Sequence, residues 1–178
     1  MKQLIQDFTD QLREANAIGS SYKFIHNYND FQNITVCGLG GSGFGANLIY
    51  DLCQADMSVP FNVSKGYTIP GYINEKSLVI VSSYSGNTEE TLESMALAEA
   101  AGAQIIGITS GGKVKAHCEV KGYDVIVVPG GKPPRACLGY SFVQQLYILK
   151  HVGQITASKF DELPVSYTHL RAHETRNY

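Results

Sequence analysis

The chain has 178 residues, of which 44% are hydrophobic and 17% are charged, and its formal net charge is −2. A chain of this size suits one domain that buries about 70% of the surface exposed by its unfolded form. The near-neutral charge gives no reason to expect nucleic acid or an anionic membrane as a partner. No apolar run approaches the length of a membrane-spanning helix, and the N-terminus has no signal-peptide pattern.

Cysteines and histidines show no metal-binding pattern. The four cysteines are scattered without a C-x-x-C pair, which predicts reduced, buried thiols in a cytoplasmic protein. Three histidines lack metal-ligand spacing, and we interpret them as partly exposed residues rather than catalysts: His26, His117 and His151. We expect neither a metal nor a cofactor.

The first 32 residues predict a helical segment that packs on the domain. Apolar side chains recur at helical spacing over residues 2–17. Gly19-Ser20-Ser21 interrupts this pattern, and a second short helix is predicted over residues 22–31.

Residues 33–155 predict strands that alternate with helices. The predicted strands are Ile34–Cys37, Phe61–Ser64, Leu78–Ser82, Gln104–Thr109 and Val125–Val128. The predicted helices are 44–52, about 89–101, 113–118 and 138–152. Strands that are continuous apolar runs favour a parallel sheet covered on both faces. The predicted fold class is α/β, a doubly wound five-stranded parallel sheet flanked by helices in a flavodoxin-like three-layer sandwich.

A glycine loop, residues 38–43 (Gly-Leu-Gly-Gly-Ser-Gly), follows the first predicted strand. Its G-x-G-x-x-G spacing matches the dinucleotide fingerprint, but the second strand runs into Lys65-Gly66 instead of the acidic residue that this fingerprint needs. A purely structural turn is another alternative. We favour a phosphosugar loop, in which Gly41 and the other glycines let the backbone approach the ligand and Ser42 donates a hydrogen bond. Binding of a nicotinamide cofactor is not expected.

A serine loop, residues 83–88 (Ser-Tyr-Ser-Gly-Asn-Thr), lies between an apolar strand and a predicted helix N-terminus. The free N–H groups and the positive end of the helix dipole suit an anion there. A helix cap explains one or two of these residues, but not three hydroxyls around a glycine. We predict that Ser83, Ser85 and Thr88, together with Ser42, surround the phosphate group of a small molecule.

Pro134-Arg135-Ala136 follows the last predicted strand, and therefore reaches the same edge of the sheet as the two loops. Arg135 is either a surface arginine beside prolines or a group that a rigid loop holds so that its planar guanidinium reaches the ligand. Lys132 is interpreted as a solvated loop charge.

The serine loop resembles the phosphate loop of SIS (sugar isomerase) domains. With the glycine loop, Pro134-Arg135-Ala136 and Tyr140, residues 1–155 resemble the bifunctional phosphoglucose/phosphomannose isomerase family. The resemblance implies a cofactor-free isomerase of carbohydrate metabolism that converts glucose 6-phosphate or mannose 6-phosphate to fructose 6-phosphate, and a homodimer in the full-length parent. It also implies a catalytic role for Arg135, which would lie over the sugar and stabilise the intermediate.

Aldose–ketose isomerisation also needs a general base, and the chain offers no convincing one. Glu89, Glu90 and Glu93 are better explained by the predicted helix. In the resembled family the base is a glutamate of a second SIS domain, and a histidine of the neighbouring subunit assists ring opening. The resemblance therefore implies that this chain is the N-terminal half of such an enzyme and is inactive alone. A non-catalytic, regulatory phosphosugar-binding module is the alternative.

Residues 164–178 have no helical or strand periodicity and few apolar side chains, so burial would offset little of their ordering entropy. We predict that this tail is foreign to the fold or disordered.

Overall fold

The computed structural model describes residues 8–158 and 160, and in this range helices cover both faces of a parallel sheet. The strands are β1 (Asn33–Cys37), β2 (Phe61–Ser64), β3 (Ser77–Ser82), β4 (Gln104–Thr109) and β5 (Asp124–Val127). The helices are α1 (Phe8–Ser21), α2 (Gly40–Cys53), α3 (Glu89–Ala100), α4 (Gly112–Lys121) and α5 (Leu138–His151), with a 3₁₀ turn at Pro134–Ala136. The predicted doubly wound α/β fold is confirmed.

The strand order is β2-β1-β3-β4-β5, and every neighbouring pair is parallel. The chain runs from β1 outward to β2 and then crosses to β3 on the other side of β1, so the order reverses between β1 and β3. Ligands of open α/β sheets bind at the carboxyl ends of the strands beside such a switch point. The glycine loop follows β1 and the serine loop follows β3, and the topology therefore places both loops at this crevice.

The two faces of the sheet carry separate apolar clusters. Along β3, which is buried over its whole length, Leu78 and Ile80 pack with α1, α2 and α5. Val79 and Val81 point to the opposite face and pack with α3 and α4. Because alternate side chains of a strand face opposite ways, both sets must be apolar in a central strand, which explains the continuous apolar run.

Residues 22–31 do not form the predicted second helix. Asp124, fully buried at the start of β5, accepts hydrogen bonds from the backbone N–H groups of Ile25 and His26 at 2.9 and 3.1 Å. It also accepts hydrogen bonds from the hydroxyls of Tyr22 and Tyr28 at 2.9 and 2.7 Å. A carboxylate distant in sequence thus satisfies amides that a helix would otherwise pair, which explains why the local prediction was wrong.

Three helix boundaries also differ from prediction. Helix α1 runs through Gly19-Ser20-Ser21, the predicted break, and ends at Ser21 instead of residue 17. Helix α2 begins at Gly40, so the second half of the glycine loop is its first turn, and α4 continues past the predicted end to Lys121. The start of the first predicted helix, before residue 8, and the predicted tail over 164–178 lie outside the described residues. Among the helices described, none is long and apolar enough to cross a membrane.

Candidate functional site

The serine loop is closed by its own end residues. The hydroxyl oxygens of Ser83 and Thr88 lie 2.9 Å apart, within hydrogen-bonding distance. Thr88 is the N-cap residue of α3, but its side chain makes no capping hydrogen bond. A helix cap therefore does not account for Thr88, and the N–H groups of the first turn of α3 keep no side-chain cap. Ser83 is buried and Ser85 is exposed.

The backbone of the serine loop is braced by the loop after β4. Gly86 has a φ of +69°, and a Cβ at this position would overlap the carbonyl oxygen of Gly111. The carbonyl oxygen of Tyr84 accepts hydrogen bonds from the backbone N–H and the hydroxyl of Ser110, at 2.9 and 2.6 Å. The loop shape is thus fixed before any ligand arrives, which lowers the entropy cost of binding.

Close packing explains two glycines of the glycine loop. A Cβ on Gly38 would lie 2.8 Å from the carbonyl oxygen of Ser82, and one on Gly43 would overlap the carbonyl oxygen of Gly38. Gly40 differs, because it has a φ of +55° and open space where a Cβ would stand. The structural-turn interpretation therefore covers Gly38 and Gly43 through packing and Gly40 through its left-handed backbone, while the open space at Gly40 leaves the surface of the loop free.

The first turn of α2 presents a second helix N-terminus at the crevice. The N-cap residue is Leu39, which has no side chain able to cap the backbone, and no capping hydrogen bond is made. Ser42, in this first turn, is buried. Two helix N-termini without side-chain caps, those of α2 and α3, thus begin at loops beside the switch point, an arrangement suited to an anion.

The segment with Arg135 lies beside the glycine loop. A Cβ on Gly41 would be 3.4 Å from the carbonyl oxygen of Pro134, which begins the 3₁₀ turn. Arg135 is exposed, and its guanidinium has no hydrogen-bond or ion-pair partner among residues 8–158 and 160. The fold therefore brings a cation with unused donors to the edge where the predicted hydroxyls are collected.

A narrow cleft of about 10 Å³, room for one water molecule, lies beneath these loops. Its polar lining residues are Ser42, Ser82, Tyr84, Thr109, Tyr140 and Ser141. The hydroxyl of Ser82 is buried without a hydrogen-bond partner in the described structure. Of the predicted site residues only Ser42 lines this cleft, which is too small for a hexose phosphate.

Sequence reasoning missed Tyr84 as a connecting residue. Its hydroxyl donates to the carbonyl oxygen of Pro129 at 2.9 Å and accepts from the backbone N–H of Lys132 at 3.1 Å. Burial raises the pKa of Tyr84 to about 12, so the hydroxyl keeps its proton and donates at neutral pH. Tyr84 thereby joins the serine loop to the segment that leads to Arg135, and its place between Ser83 and Ser85 was the available signal.

Lys132 is not the solvated loop charge that was expected. Its ammonium group donates to the hydroxyl of Tyr140 at 3.1 Å, and that hydroxyl donates to the carboxylate of Glu14. Burial, followed by the hydrogen bond to Glu14, raises the pKa of Tyr140. The three side chains form a cluster at the rim of the site that sequence patterns did not indicate.

A larger cleft, of about 310 Å³, lies at the opposite edge of the sheet. Two of its side chains are already engaged, because the Nε2 of His26 lies 2.8 Å from the carbonyl oxygen of Gly122 and Tyr28 donates to Asp124. The hydroxyl-bearing loops and Arg135, which has no side-chain partner among the described residues, favour the carboxyl edge as the functional one. His26 and His151 are exposed and His117 is half-buried, and no group of residues suited to a metal occurs in the described part of the chain.

Comparisons with known proteins agree with this architecture. A family model described as the SIS domain matches residues 29–118. The bifunctional phosphoglucose/phosphomannose isomerase of Caldicellulosiruptor bescii is 41% identical over 155 residues, which are 87% of this chain and 46% of that protein. The protein of the same name from Thermoplasma acidophilum is 39% identical over 110 residues, 62% of this chain and 33% of the relative.

A solved structure shares the fold. The tagatose-6-phosphate ketose/aldose isomerase of Escherichia coli superposes with a TM-score of 0.72 at 16% identity, over 96% of this chain and 52% of that one. The chain spans less than half the length of the two curated relatives named above. The predicted resemblance to phosphoglucose/phosphomannose isomerases is confirmed as sequence similarity, and the chain belongs to the SIS domain family.

Proposed function

We propose that this chain is the N-terminal, phosphate-binding half of a sugar-phosphate aldose–ketose isomerase. The substrates would be glucose 6-phosphate or mannose 6-phosphate, and the product fructose 6-phosphate. The observation that carries the proposal is the convergence of the serine loop, the glycine loop and the Arg135 segment on one switch point. The 41% identity to an isomerase named for these two hexose phosphates supports the choice of substrate.

In this proposal the hydroxyls grip the phosphate. Ser83, Ser85 and Thr88 would donate to its oxygens, with the N–H groups of α3 and the hydroxyl of Ser42 completing the site. Holding the phosphate supplies binding energy remote from the reacting carbons. Arg135 would then reach over the sugar near Gly41 and stabilise negative charge on the enediolate oxygen, a task suited to a guanidinium because it stays charged and offers several donors.

The proton transfer between C1 and C2 needs a base that we assign to another part of the full-length protein. Glu89 is exposed in the first turn of α3, where its charge complements the helix dipole. Glu14 is committed to Tyr140. We propose a second SIS domain as the source of the base and a cytoplasmic homodimer as the full-length form, and we expect the 178-residue chain to show no isomerase activity.

Titration calorimetry with three related solutes tests the proposal. Fructose 6-phosphate should bind, inorganic phosphate should bind more weakly, and fructose should not bind detectably, because the phosphate provides most of the contacts. Equal binding of fructose and fructose 6-phosphate would contradict a phosphate site. Conversion of fructose 6-phosphate by the purified chain would contradict the assignment of the base to another domain.

A non-catalytic phosphosugar-binding module is the second candidate. It is favoured because the carboxylates that adjoin the serine loop, Glu89 and Glu90, lie in the first turn of α3, where complementarity to the helix dipole accounts for them without a role as a base. The coding sequence that follows residue 163 in the parent gene separates the candidates. A second α/β half with a glutamate and a histidine supports the isomerase, and a helix-turn-helix or another regulatory module supports the alternative.

A further inference from the structure

A buried glutamine of helix α1 holds the segment that carries Arg135. Gln11 is 4% exposed, and its side-chain amide makes two hydrogen bonds to this segment. Its Nε2 donates to the carbonyl oxygen of Ala136 at 2.6 Å, and its Oε1 accepts from the backbone N–H of Gly139 at 2.8 Å. Ala136 is the next residue after Arg135, so the glutamine fixes the backbone directly beside the arginine.

A second contact lies one helical turn along α1. The carboxylate of Glu14 accepts a hydrogen bond from Tyr140, and the ammonium group of Lys132 lies 4.0 Å from the same carboxylate. Lys132 precedes Arg135 in the chain and Tyr140 follows it. Glu14 therefore contacts both ends of the segment 132–140 and Gln11 contacts its interior, so that one helix holds the whole segment.

The packing around Gly139 supports a fitted contact. A Cβ on Gly139 would lie only 2.6 Å from the Oε1 of Gln11. The absence of a side chain at this position lets the glutamine reach the N–H of Gly139 and the carbonyl oxygen of Ala136. A larger residue there would push Gln11 out of its hydrogen bonds.

Arg135 has no side-chain partner among the described residues, so its position depends on its backbone. A mobile arginine loses conformational entropy when it binds a ligand, whereas an arginine on a fixed backbone loses less. We propose that Gln11 and Glu14 are positioning residues that hold segment 132–140 and thereby place Arg135 beside the glycine loop. This inference rests on the proposed function for the ligand that Arg135 meets.

The variant Gln11→Ala tests the inference, with Asn16→Ala as a matched control. Asn16 lies on the same helix and accepts a hydrogen bond from Tyr147 at 2.8 Å, away from segment 132–140. The first measurement is amide hydrogen exchange at Ala136 and Cys137, whose N–H groups bond to Pro133 and Pro134 rather than to Gln11. Exchange there should rise in Gln11→Ala and stay unchanged in Asn16→Ala.

The second measurement is a double-mutant cycle with Arg135→Ala, read as the affinity for fructose 6-phosphate. Gln11→Ala should weaken binding about tenfold, the factor that corresponds to one hydrogen bond to a charged group. It should weaken binding less than about twofold when Arg135 is already alanine, because a positioning residue then has nothing to position. Gln11→Glu keeps the hydrogen-bond acceptor but not the donor, so its affinity for fructose 6-phosphate should lie between those of wild type and Gln11→Ala. This variant replaces Gln11→Ala in the cycle if Gln11→Ala does not fold.

Two results would overturn the inference: exchange at Ala136 and Cys137 that matches the Asn16→Ala control, or an affinity loss that persists undiminished in the Arg135→Ala background. A wild-type chain that binds no fructose 6-phosphate would instead contradict the proposed function. The exchange comparison would then still decide whether Gln11 holds the segment.

Discussion

Ser83 and Thr88 share one hydrogen bond across the serine loop, with their hydroxyl oxygens 2.9 Å apart. Each hydroxyl has one proton to donate, and the shared bond uses only one of the two. One O–H therefore remains to donate to an anion, while the pair keeps the loop closed. This arrangement explains how hydroxyls can both build the loop and bind a ligand with it.

We expect Ser85→Ala to weaken the binding of fructose 6-phosphate by about tenfold or more. A hydrogen bond to a charged oxygen contributes about 1.5–3 kcal/mol, and the hydroxyl of the exposed Ser85 can supply one. Titration calorimetry gives the affinity. Ser20→Ala is the control, because this exposed serine bonds to the carbonyl oxygen of Ala17 at 3.1 Å and to Tyr147, neither of which belongs to the serine loop. An unchanged affinity in a folded Ser85→Ala variant would remove Ser85 from the site.

We expect Gly86→Ala to destabilise the protein and to abolish phosphosugar binding. A left-handed conformation costs a residue with a Cβ about 1–2 kcal/mol, and the overlap with the carbonyl oxygen of Gly111 adds to this. Gly71→Ala, at a position with nothing within 4 Å of the added Cβ, should change little. Urea denaturation and calorimetry of both variants make the comparison, and equal stability would show that the serine loop tolerates another shape.

We expect Asp124→Asn to lower the free energy of unfolding by about 3 kcal/mol at pH 7, because an amide cannot accept all the hydrogen bonds that the buried carboxylate accepts. Asp51→Asn, at an exposed position of α2, is the control and should change stability little.

The difference in the free energy of unfolding between wild type and Asp124→Asn should also depend on pH. Burial alone would raise the pKa of Asp124, but hydrogen bonds from the Ile25 N–H, Tyr28 and Tyr22 hold that pKa below its ordinary value. Because the pKa of Asp124 is lower in the folded than in the unfolded protein, the stability that its carboxylate contributes is fully present above the unfolded pKa, about 3.9. This contribution is lost as the pH falls below that value. Urea denaturation from pH 7 to pH 3 measures this. A constant difference over that range would contradict the assignment.

We expect no saturable binding of NAD or NADP at micromolar concentration. The dinucleotide fingerprint needs an acidic residue after the second strand, and Lys65 follows β2 here. Fluorescence titration with NADH is the measurement. Saturation that only dinucleotides compete away would show that the glycine loop had been misinterpreted.

The sheet could be predicted from sequence because its strands depend on local pattern. β2 and β4 begin and end where predicted, β1 and β3 begin one residue earlier, and β5 is shifted by one residue at both ends. Apolar runs bounded by glycine and polar residues define a buried strand. The two loops could be placed at one edge for the same reason, since parallel strands all end there. These predictions needed no knowledge of which residues meet across the fold.

The errors concern contacts between residues distant in sequence. The conformation of residues 22–31 is set by hydrogen bonds to Asp124 and not by their own helical pattern. Lys132 was interpreted as a solvated loop charge because its contacts with Tyr140 and Glu14 are formed only in the folded chain. The contact of Gln11 with Ala136 and Gly139 is equally invisible in a linear pattern. Side chains that join separate elements were therefore the part of the candidate site that sequence could not give.

The most direct test of the central claim, that the loops after β1 and β3 form a phosphosugar site, is amide chemical-shift mapping by NMR. Fructose 6-phosphate titrated into the labelled chain should shift the amides of residues 83–90 and 40–43 together, with a single dissociation constant. Fructose at the same concentrations should leave them unchanged. Shifts confined to the opposite cleft, at His26, Gly122 and their neighbours, or the same shifts with fructose, would contradict the claim.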